Sequence, residues 1–335
     1  MKLLYIGNKL SKKGFNLTYI ETLGKLLEQE GYSIVYASDK KNQLYRMLDM
    51  VYTTLISIKN IDYVIIDTYS TFSFYYALLI SGICKLFNKK YITILHGGNL
   101  PKRLDKNPRL SDFIFKKAYC LIVPSHYLLQ AFKTKYPKNL VYIQNVLEIE
   151  KYPFTSREFE VPKLLWVRSF SNIYNPKMAI KVFAALKKDF PKAELCMVGP
   201  DKENLIQKCK NYAKLLHVSV DFKGKMEKQD WIELSKGYNV FINTTHFDNT
   251  PISVIEAMAL GLPVVSTNVG GIPYLLENNV NALLVNDSDS DAMVTAIKEI
   301  FSNQDLSNSM IKSARLLVES FDWQIVKEKW FEILK

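Results

Sequence analysis

The chain has 335 residues, 48% of them hydrophobic and 23% charged, with no Gly/Ser/Pro or Gln/Asn tract; that length predicts two domains, and the composition excludes a disordered chain. Its four cysteines, Cys84, Cys120, Cys196 and Cys209, are far apart and show no C-x-x-C spacing, which excludes a disulfide framework and fits a reducing compartment. The net charge of +11 is unevenly spread: residues 1–150 hold 21 Lys+Arg against 11 Asp+Glu, whereas residues 151–335 hold 23 against 22.

The opening run Met1 to Gly7 is too short for a secretory core and reads as a strand, so no export and a cytoplasmic location are expected. Apolar strands then alternate with amphipathic helices, the pattern of parallel α/β sheets. In the first half, strands are predicted at Leu3–Gly7, Ser33–Ala37, Tyr63–Thr68, Tyr91–His96, Cys120–Pro124 and Val141–Gln144. The first helix is predicted from about Leu17 to Glu30, with Gly31 as its stop. Phe72 to Phe87 is the one segment that could mimic a membrane span, but it is short, carries Lys85 and reads as a buried helix. Asn145 to Glu160 has no clear period, which puts the domain boundary there: a first domain over 1–155 and a second over 156–319. Strands of the second are predicted at Leu164–Val167, Leu195–Gly199, Val220–Phe222, Val240–Asn243, Val264–Thr267 and Ala282–Val285. After Asp291 the pattern is helical, ending with Trp323, Val326, Trp330 and Leu334 in register. The lysine pairs of the first half, such as Lys12-Lys13, Lys40-Lys41 and Lys116-Lys117, have two readings: contact with phosphates of a membrane or polyanion, or decoration of solvated loops.

The most informative stretch runs from Thr245 to Pro263. Thr250 suits a helix N-cap and Pro251 the first helical position, leaving the amides of Ile252 and Ser253 free. Free amides together with the helix dipole make an anion site. Glu256 lies about one turn after Ile252 on the same side, where a carboxylate is suited to accept from ribose hydroxyls. Asp248, just before the helix, is placed to accept from sugar hydroxyls. Singly, Asp248 reads as a turn former and Glu256 as a solvated helix residue; at this spacing they read as a site.

D-x7-E over Asp248–Glu256, followed by AMALGLPVVSTNVGGIP, resembles the signature of retaining GT-B glycosyltransferases of family 4, the glycosyl transferases group 1. The resemblance extends to Gly14 in the first loop, LHG at 95–97, VPSHYL at 123–128, IQN at 143–145, VGP at 198–200 and FKG at 222–224. It implies a GT-B fold, two Rossmann-like doubly wound domains facing a central cleft, with a C-terminal helix at about 320–335 crossing back to the first domain. It also implies that Glu256 holds the donor ribose, Asp248 contacts the transferred sugar, and the amides of Ile252 and Ser253 meet the diphosphate. Asp248 departs from the family's usual Glu. Arg168 matches a diphosphate-binding Arg, but the Lys expected six residues later is Tyr174, leaving Lys177 as a displaced candidate. His96, at a strand end before Gly97-Gly98, resembles the acceptor-side His, with a structural His as the alternative. Gly14 and Phe15 are candidates to close over the diphosphate, Gly199 belongs to the donor-side loops, and Lys225 and Met226 match positions that read the base through backbone.

The D-x-D within Asp287–Asp291 precedes a helix, where Asp and Ser act as caps. No cluster has metal spacing, so no metal and no other cofactor is expected. The expected partners are a nucleotide-sugar, by default a UDP-sugar, and a glycan or lipid-linked acceptor, with contact to an anionic membrane through the basic first half and the stretch Leu110 to Lys117. No nucleic-acid recognition motif is found, so no nucleic-acid partner is expected. The rival readings are a catalytically silent nucleotide-sugar binder and a GT-B relative that acts on a small soluble acceptor, or that carries out phosphorolysis or epimerisation.

Overall fold

A computed structural model describes residues 1–13 and 18–335; Gly14 and Phe15 lie outside the described residues. The chain divides into two compact units, Met1–Val146 with Trp323–Lys335, and Leu147–Asp322.

In the first unit β1 (Lys2–Ile6), α1 (Tyr19–Gln29), β2 (Ser33–Ala37), α2 (Gln43–Ser57), β3 (Tyr63–Thr68), α3 (Ser73–Leu86), β4 (Lys90–Leu95), α4 (Leu100–Lys106), α5 (Pro108–Phe115), β5 (Cys120–Val123), α6 (His126–Lys133) and β6 (Leu140–Tyr142) follow in order. The six strands form one parallel sheet, ordered β2-β1-β3-β4-β5-β6. Because strand side chains alternate between faces, each strand feeds two cores. Leu4, Ile6, Val64 and Ile66 pack toward α3 residues Phe74, Ala77 and Ile80. Leu3, Tyr5 and Ile65 pack on the other face toward Ile20, Leu23 and Leu27 of α1. The α1 helix starts two residues later than its periodicity predicts, because the Glu21 carboxylate accepts from the Thr18 amide at 3.1 Å and fixes Thr18 as the cap. Gly31, at φ +88°, follows its end as expected.

In the second unit β7 (Lys163–Val167), α7 (Pro176–Leu186), β8 (Glu194–Val198), α8 (Ile206–Leu215), β9 (Asp221–Gly224), α9 (Lys228–Ser235), β10 (Val240–Asn243), α10 (Ile252–Ala259), β11 (Val264–Thr267), β12 (Leu283–Val285), α11 (Ser290–Ser302) and α12 (Gln304–Glu319) follow. Its parallel sheet runs β12-β11-β10-β7-β8-β9. That is the doubly wound order whose reversal, and hence its ligand crevice, falls between β7 and β10. Leu164 and Trp166 face α7 and α11 in one core, and Leu165 faces α10 in the other.

The final helix, α13 (Trp323–Ile333), belongs to the first unit. Trp323, Val326, Trp330 and Leu334 all enter the core that holds α1, and the Trp323 indole donates to Glu30 at 3.1 Å. The division falls after Val146 and before Trp323, earlier than the predicted 155/156 and later than the predicted 319/320. Leu147 forms a bridge with Asp322 and, with Tyr152, is buried in the second unit's core. The aperiodic stretch after it is a strap: the Arg157 guanidinium donates to Ser235 O, Tyr238 O and Leu260 O at 2.7–3.0 Å.

Phe72–Phe87 forms α3, a core helix; among the described residues no helix is long and apolar enough to cross a membrane. All four cysteines are unpaired and buried. Burial pushes the Cys84 and Cys120 thiols up to about 12, so they are protonated and unreactive at neutral pH.

Candidate functional site

The residues predicted from the 245–263 stretch converge at the β7/β10 reversal. Arg168 follows β7, and Asn243 ends β10. The Arg168 guanidinium donates through Nε to Asn243 Oδ1 at 3.1 Å and through Nη2 to Asp248 Oδ2 at 2.7 Å. Tyr174 lies under it, with the ring centroid 4.8 Å from Cζ, a cation–π contact. An aromatic platform therefore occupies the position where the resembled family has a second cation. Among the described residues Nη1 has no protein acceptor, which leaves two N–H donors for a ligand.

Helix α10 begins at Ile252 with Pro251 as its N-cap, one residue later than expected. Pro251 has ψ 103°, so it stays extended while its carbonyl accepts from the amides of Val254 and Ile255 at 3.0 and 3.2 Å. Proline has no N–H to satisfy, so the cap position suits it as well as the first turn does. Among the described residues, the amides of Ile252 and Ser253 reach no backbone acceptor. The buried hydroxyl oxygens of Thr250 and Ser253 likewise have no partner. Two amides, two hydroxyls and a helix N-terminus thus offer a group of unused donors suited to an anion.

Glu256 is 3% exposed, which overturns the solvated-helix alternative. Its Oε1 accepts from the Tyr152 hydroxyl at 2.9 Å and from the Lys228 ammonium. Burial first, and then the neighbouring carboxylate, hold the Tyr152 phenol far above its ordinary value, so it remains a donor. Tyr152 and Lys228 carried no sequence signal; Asn243 had one, its place at the end of a buried strand.

The glycines of the signature have steric reasons. A Cβ on Gly271 would sit 1.9 Å from Asn249 O, and one on Gly270, at φ +57°, 2.4 Å from Asp248 O. The Gly271 amide donates to Asp248 O at 2.7 Å, so the Gly-Gly pair is the seat of the Asp248 loop. Gly199, at φ +148°, would put a Cβ 1.8 Å from Arg168 O; it contributes close approach to the Arg168 loop.

Other predicted residues are placed less centrally. Lys177 sits in the first turn of α7, with Nζ 5.7 Å from the Tyr212 ring centroid. It lines a pocket with Asn172, Asn175, Lys208 and His246, a lining that does not include Arg168. Lys225 and Met226 follow β9 at the sheet edge, Met226 packing against the core and Lys225 exposed. Of the D-x-D, Asp289 caps α11 by accepting from the Ala292 amide at 2.9 Å, and Asp287 pairs with His246 at 2.8 Å. Among the described residues no group of three His, Cys, Asp or Glu is placed to hold a metal ion.

In the first unit, His96 follows β4. Its Nε2 meets Asp67 Oδ1 at 2.9 Å, and the Tyr5 hydroxyl donates to the same oxygen at 3.1 Å. A carboxylate accepts, so Nε2 carries the hydrogen and Nδ1 is the nitrogen left for a ligand. Tyr19 and Tyr69 flank the imidazole, with ring centroids at 5.0 and 5.2 Å. Asp67 is fully buried, and a Cβ on Gly7 would come 2.7 Å from its Oδ2. Asp67 was missed in the sequence, although a carboxylate inside the apolar run Tyr63–Thr68 was the signal.

Gly271→Ala is expected to destabilise the second unit by at least about 2 kcal/mol, the scale of a forced backbone shift. Denaturant unfolding of the variant checks this; an unchanged midpoint would remove the Gly-Gly pair as the seat of the Asp248 loop.

Three comparisons bear on this arrangement. A glycosyltransferase of Haemophilus influenzae, itself uncharacterized, is 30% identical over 158 residues, covering 46% of this chain and 44% of that protein; the chain thus spans less than half the length of this curated relative. Among solved structures, sucrose-phosphate synthase from Thermosynechococcus elongatus superposes with TM-score 0.82 at 15% identity, over 99% of this chain and 98% of that one. Anabaena HepE, in complex with UDP and glucose, superposes with TM-score 0.78 at 16% identity, over 100% and 99%. These likenesses establish the GT-B architecture of two Rossmann-like units. The model of the family Glycosyl transferases group 1 matches residues 149–317, half of the chain and nearly all of the second unit. With the Arg168, Asp248 and Glu256 cluster inside the matched region, the chain is a member of the glycosyl transferases group 1 family.

Proposed function

We propose that the chain transfers a sugar from a nucleoside-diphosphate sugar, UDP-linked, to a hydroxyl of a glycan or lipid-linked glycan, as a retaining hexosyltransferase of family 4. Its place is cell-surface polysaccharide synthesis, on the cytoplasmic side of the plasma membrane. The observation that carries the reading is the set of unpartnered amides and hydroxyls at the start of α10, on the same sheet reversal as Arg168, whose Nη1 has no acceptor among the described residues. A departing diphosphate develops negative charge, and preorganised amides, hydroxyls and a guanidinium stabilise that charge without reorganising. These groups also replace what a divalent cation would supply, so the reading is metal-free. HepE was solved with UDP and glucose, which supports uridine as the base.

In the transfer, the bond from the anomeric carbon to the diphosphate oxygen breaks, and the acceptor oxygen bonds to the same carbon from the same face. The acceptor proton passes to the departing phosphate oxygen. Glu256 accepts from the ribose hydroxyls, with Tyr152 holding its carboxylate in place. Asp248, fixed by Arg168, accepts from a hydroxyl of the transferred sugar, its side chain one methylene shorter than the family's usual Glu. His96 offers Nδ1 to the acceptor.

Thermal unfolding with UDP, GDP, ADP and their sugars, with and without a chelator, tests the donor class. UDP at about 100 times its Kd is expected to add about 2.7 kcal/mol of stability by mass action, whether or not chelator is present. A folded sample that responds to no nucleotide would reject the reading.

Two substitutions separate binding from turnover. Glu256→Ala is expected to weaken UDP binding about tenfold or more, the loss of about 1.4 kcal/mol from ribose contacts; calorimetric titration measures it, and unchanged affinity removes the ribose role. Asp248→Asn is expected to lower kcat about 100-fold while UDP affinity changes little, because its contact is to the reacting sugar. Full activity in that variant would take Asp248 out of the site.

A further inference from the structure

Helix α2 has two apolar faces, and the fold covers one of them. Arg46, Met50 and Thr54 are buried against the first unit. On the other side Leu44, Tyr45, Leu48, Tyr52, Leu55 and Ile56 are each 47–67% exposed. At about 100° per residue these six fall within one sector of about 120°, a continuous stripe along the helix. Within the helix the only exposed polar residue is Gln43, in the first turn. An exposed apolar patch of this kind marks an interaction surface.

The charge around the stripe identifies its occupant. Lys40 and Lys41 immediately precede the helix, Lys12 and Lys13 lie in the loop after β1, and Lys59 follows the helix end; all five are exposed. Lys13, Lys40 and Lys41 share a concavity with Tyr45, Leu48 and Tyr52. Asp39 and Asp49 line the same concavity, and Asp39 pairs with Lys40 at 3.2 Å, so the local balance stays positive. Leucine and isoleucine suit acyl chains, tyrosines suit the headgroup boundary, and a lysine rim suits anionic headgroups. Self-pairing of two copies through this face would set like-charged lysine rims against each other. The stretch Leu110 to Lys117, expected from sequence to meet the membrane, is instead spent on the core: Ile114 and Phe115 are fully buried, and of its apolar side chains only Phe113 is exposed.

We propose that the outer face of α2, with the lysines around it, docks this chain on an anionic lipid surface. This deepens the lipid-linked-acceptor reading and rests on it.

The test is flotation of the full chain with phosphatidylcholine vesicles, with and without phosphatidylglycerol at about one lipid in three, at low and high salt. The wild-type chain is expected to float with the anionic vesicles about tenfold more than with neutral ones, and salt is expected to weaken this. L48Q/Y52Q is expected to lose about tenfold in vesicle partitioning, and K40E/K41E to lose the preference for phosphatidylglycerol. Both should keep the wild-type Tm and the UDP-induced shift, since none of the four side chains is buried. Undiminished flotation of L48Q/Y52Q, or loss only on substituting Phe113, would overturn the α2 assignment while leaving membrane docking standing. No flotation of the wild-type chain would overturn both. A concentration-dependent dimer abolished by L48Q/Y52Q would reassign the face to a second copy. A failed UDP shift with intact flotation would instead count against the donor reading alone.

Discussion

The second unit depends on how α10 is held. Its apolar side, Val254, Ile255 and Met258, is buried against β7 and β10. At its C-terminal end two guanidiniums take the last carbonyls, Arg315 on Ala259 O at 2.6 Å and Arg157 on Leu260 O at 2.7 Å. Cations at that end complement the helix dipole and satisfy groups that would otherwise lack partners. Among the described residues the amides of Ile252 and Ser253 at its N-terminus reach no backbone acceptor, and that end lies beside the sheet reversal, where Arg168 and Asn243 also emerge. A helix pinned at one end and along one side presents its other end in a fixed position, which is what preorganised stabilisation of a leaving group requires.

Both units use a carboxylate to orient a basic side chain, with different degrees of burial. Asp67 is sealed between β1 and β4 and fixes the His96 ring through one oxygen, sharing that oxygen with Tyr5. Asp248 is partly open and fixes Arg168, which Asn243 and Tyr174 also hold. Burying a charge is costly unless it is paired and hydrogen-bonded, and in both places the pairing leaves one nitrogen of the basic group without a protein partner among the described residues. The contacts that offset part of that cost also aim the group, while Asp67 Oδ2 stays buried with no partner among the described residues.

Much of the fold was legible in the sequence because parallel strands buried on both faces appear as short, continuous apolar runs. All twelve predicted strands are present, four with the predicted bounds and the others shifted at one or both ends by one or two residues. The misses share a cause. The domain division was placed in an aperiodic stretch whose early residues, Leu147 and Tyr152, are core, because a single bridge to Asp322 and a single buried tyrosine leave no period to detect. The helix start at Thr250–Ile252 was off by one residue because cap and first-turn positions both tolerate proline. The stretch Leu110–Lys117, expected from composition to meet a membrane, spends Ile114 and Phe115 on the core, because composition does not say which side of a helix the core will cover.

By itself the sequence determined the layered α/β class, the two-unit organisation and the loop from Asp248 to Pro263 with its helix start and the glycine pair that follows it. Those features are written in local periodicity and in glycines and prolines whose backbone requirements are their own. The tertiary structure decided the partnerships: Asp67 with His96, Tyr174 beneath Arg168, Tyr152 and Lys228 on Glu256, and the face of α2 that stays uncovered. Each joins residues 28 or more positions apart or, for Tyr174, across a turn no pattern specifies. Only the packing of strands and helices brings such groups within hydrogen-bonding or ring-contact distance, so no local pattern records them.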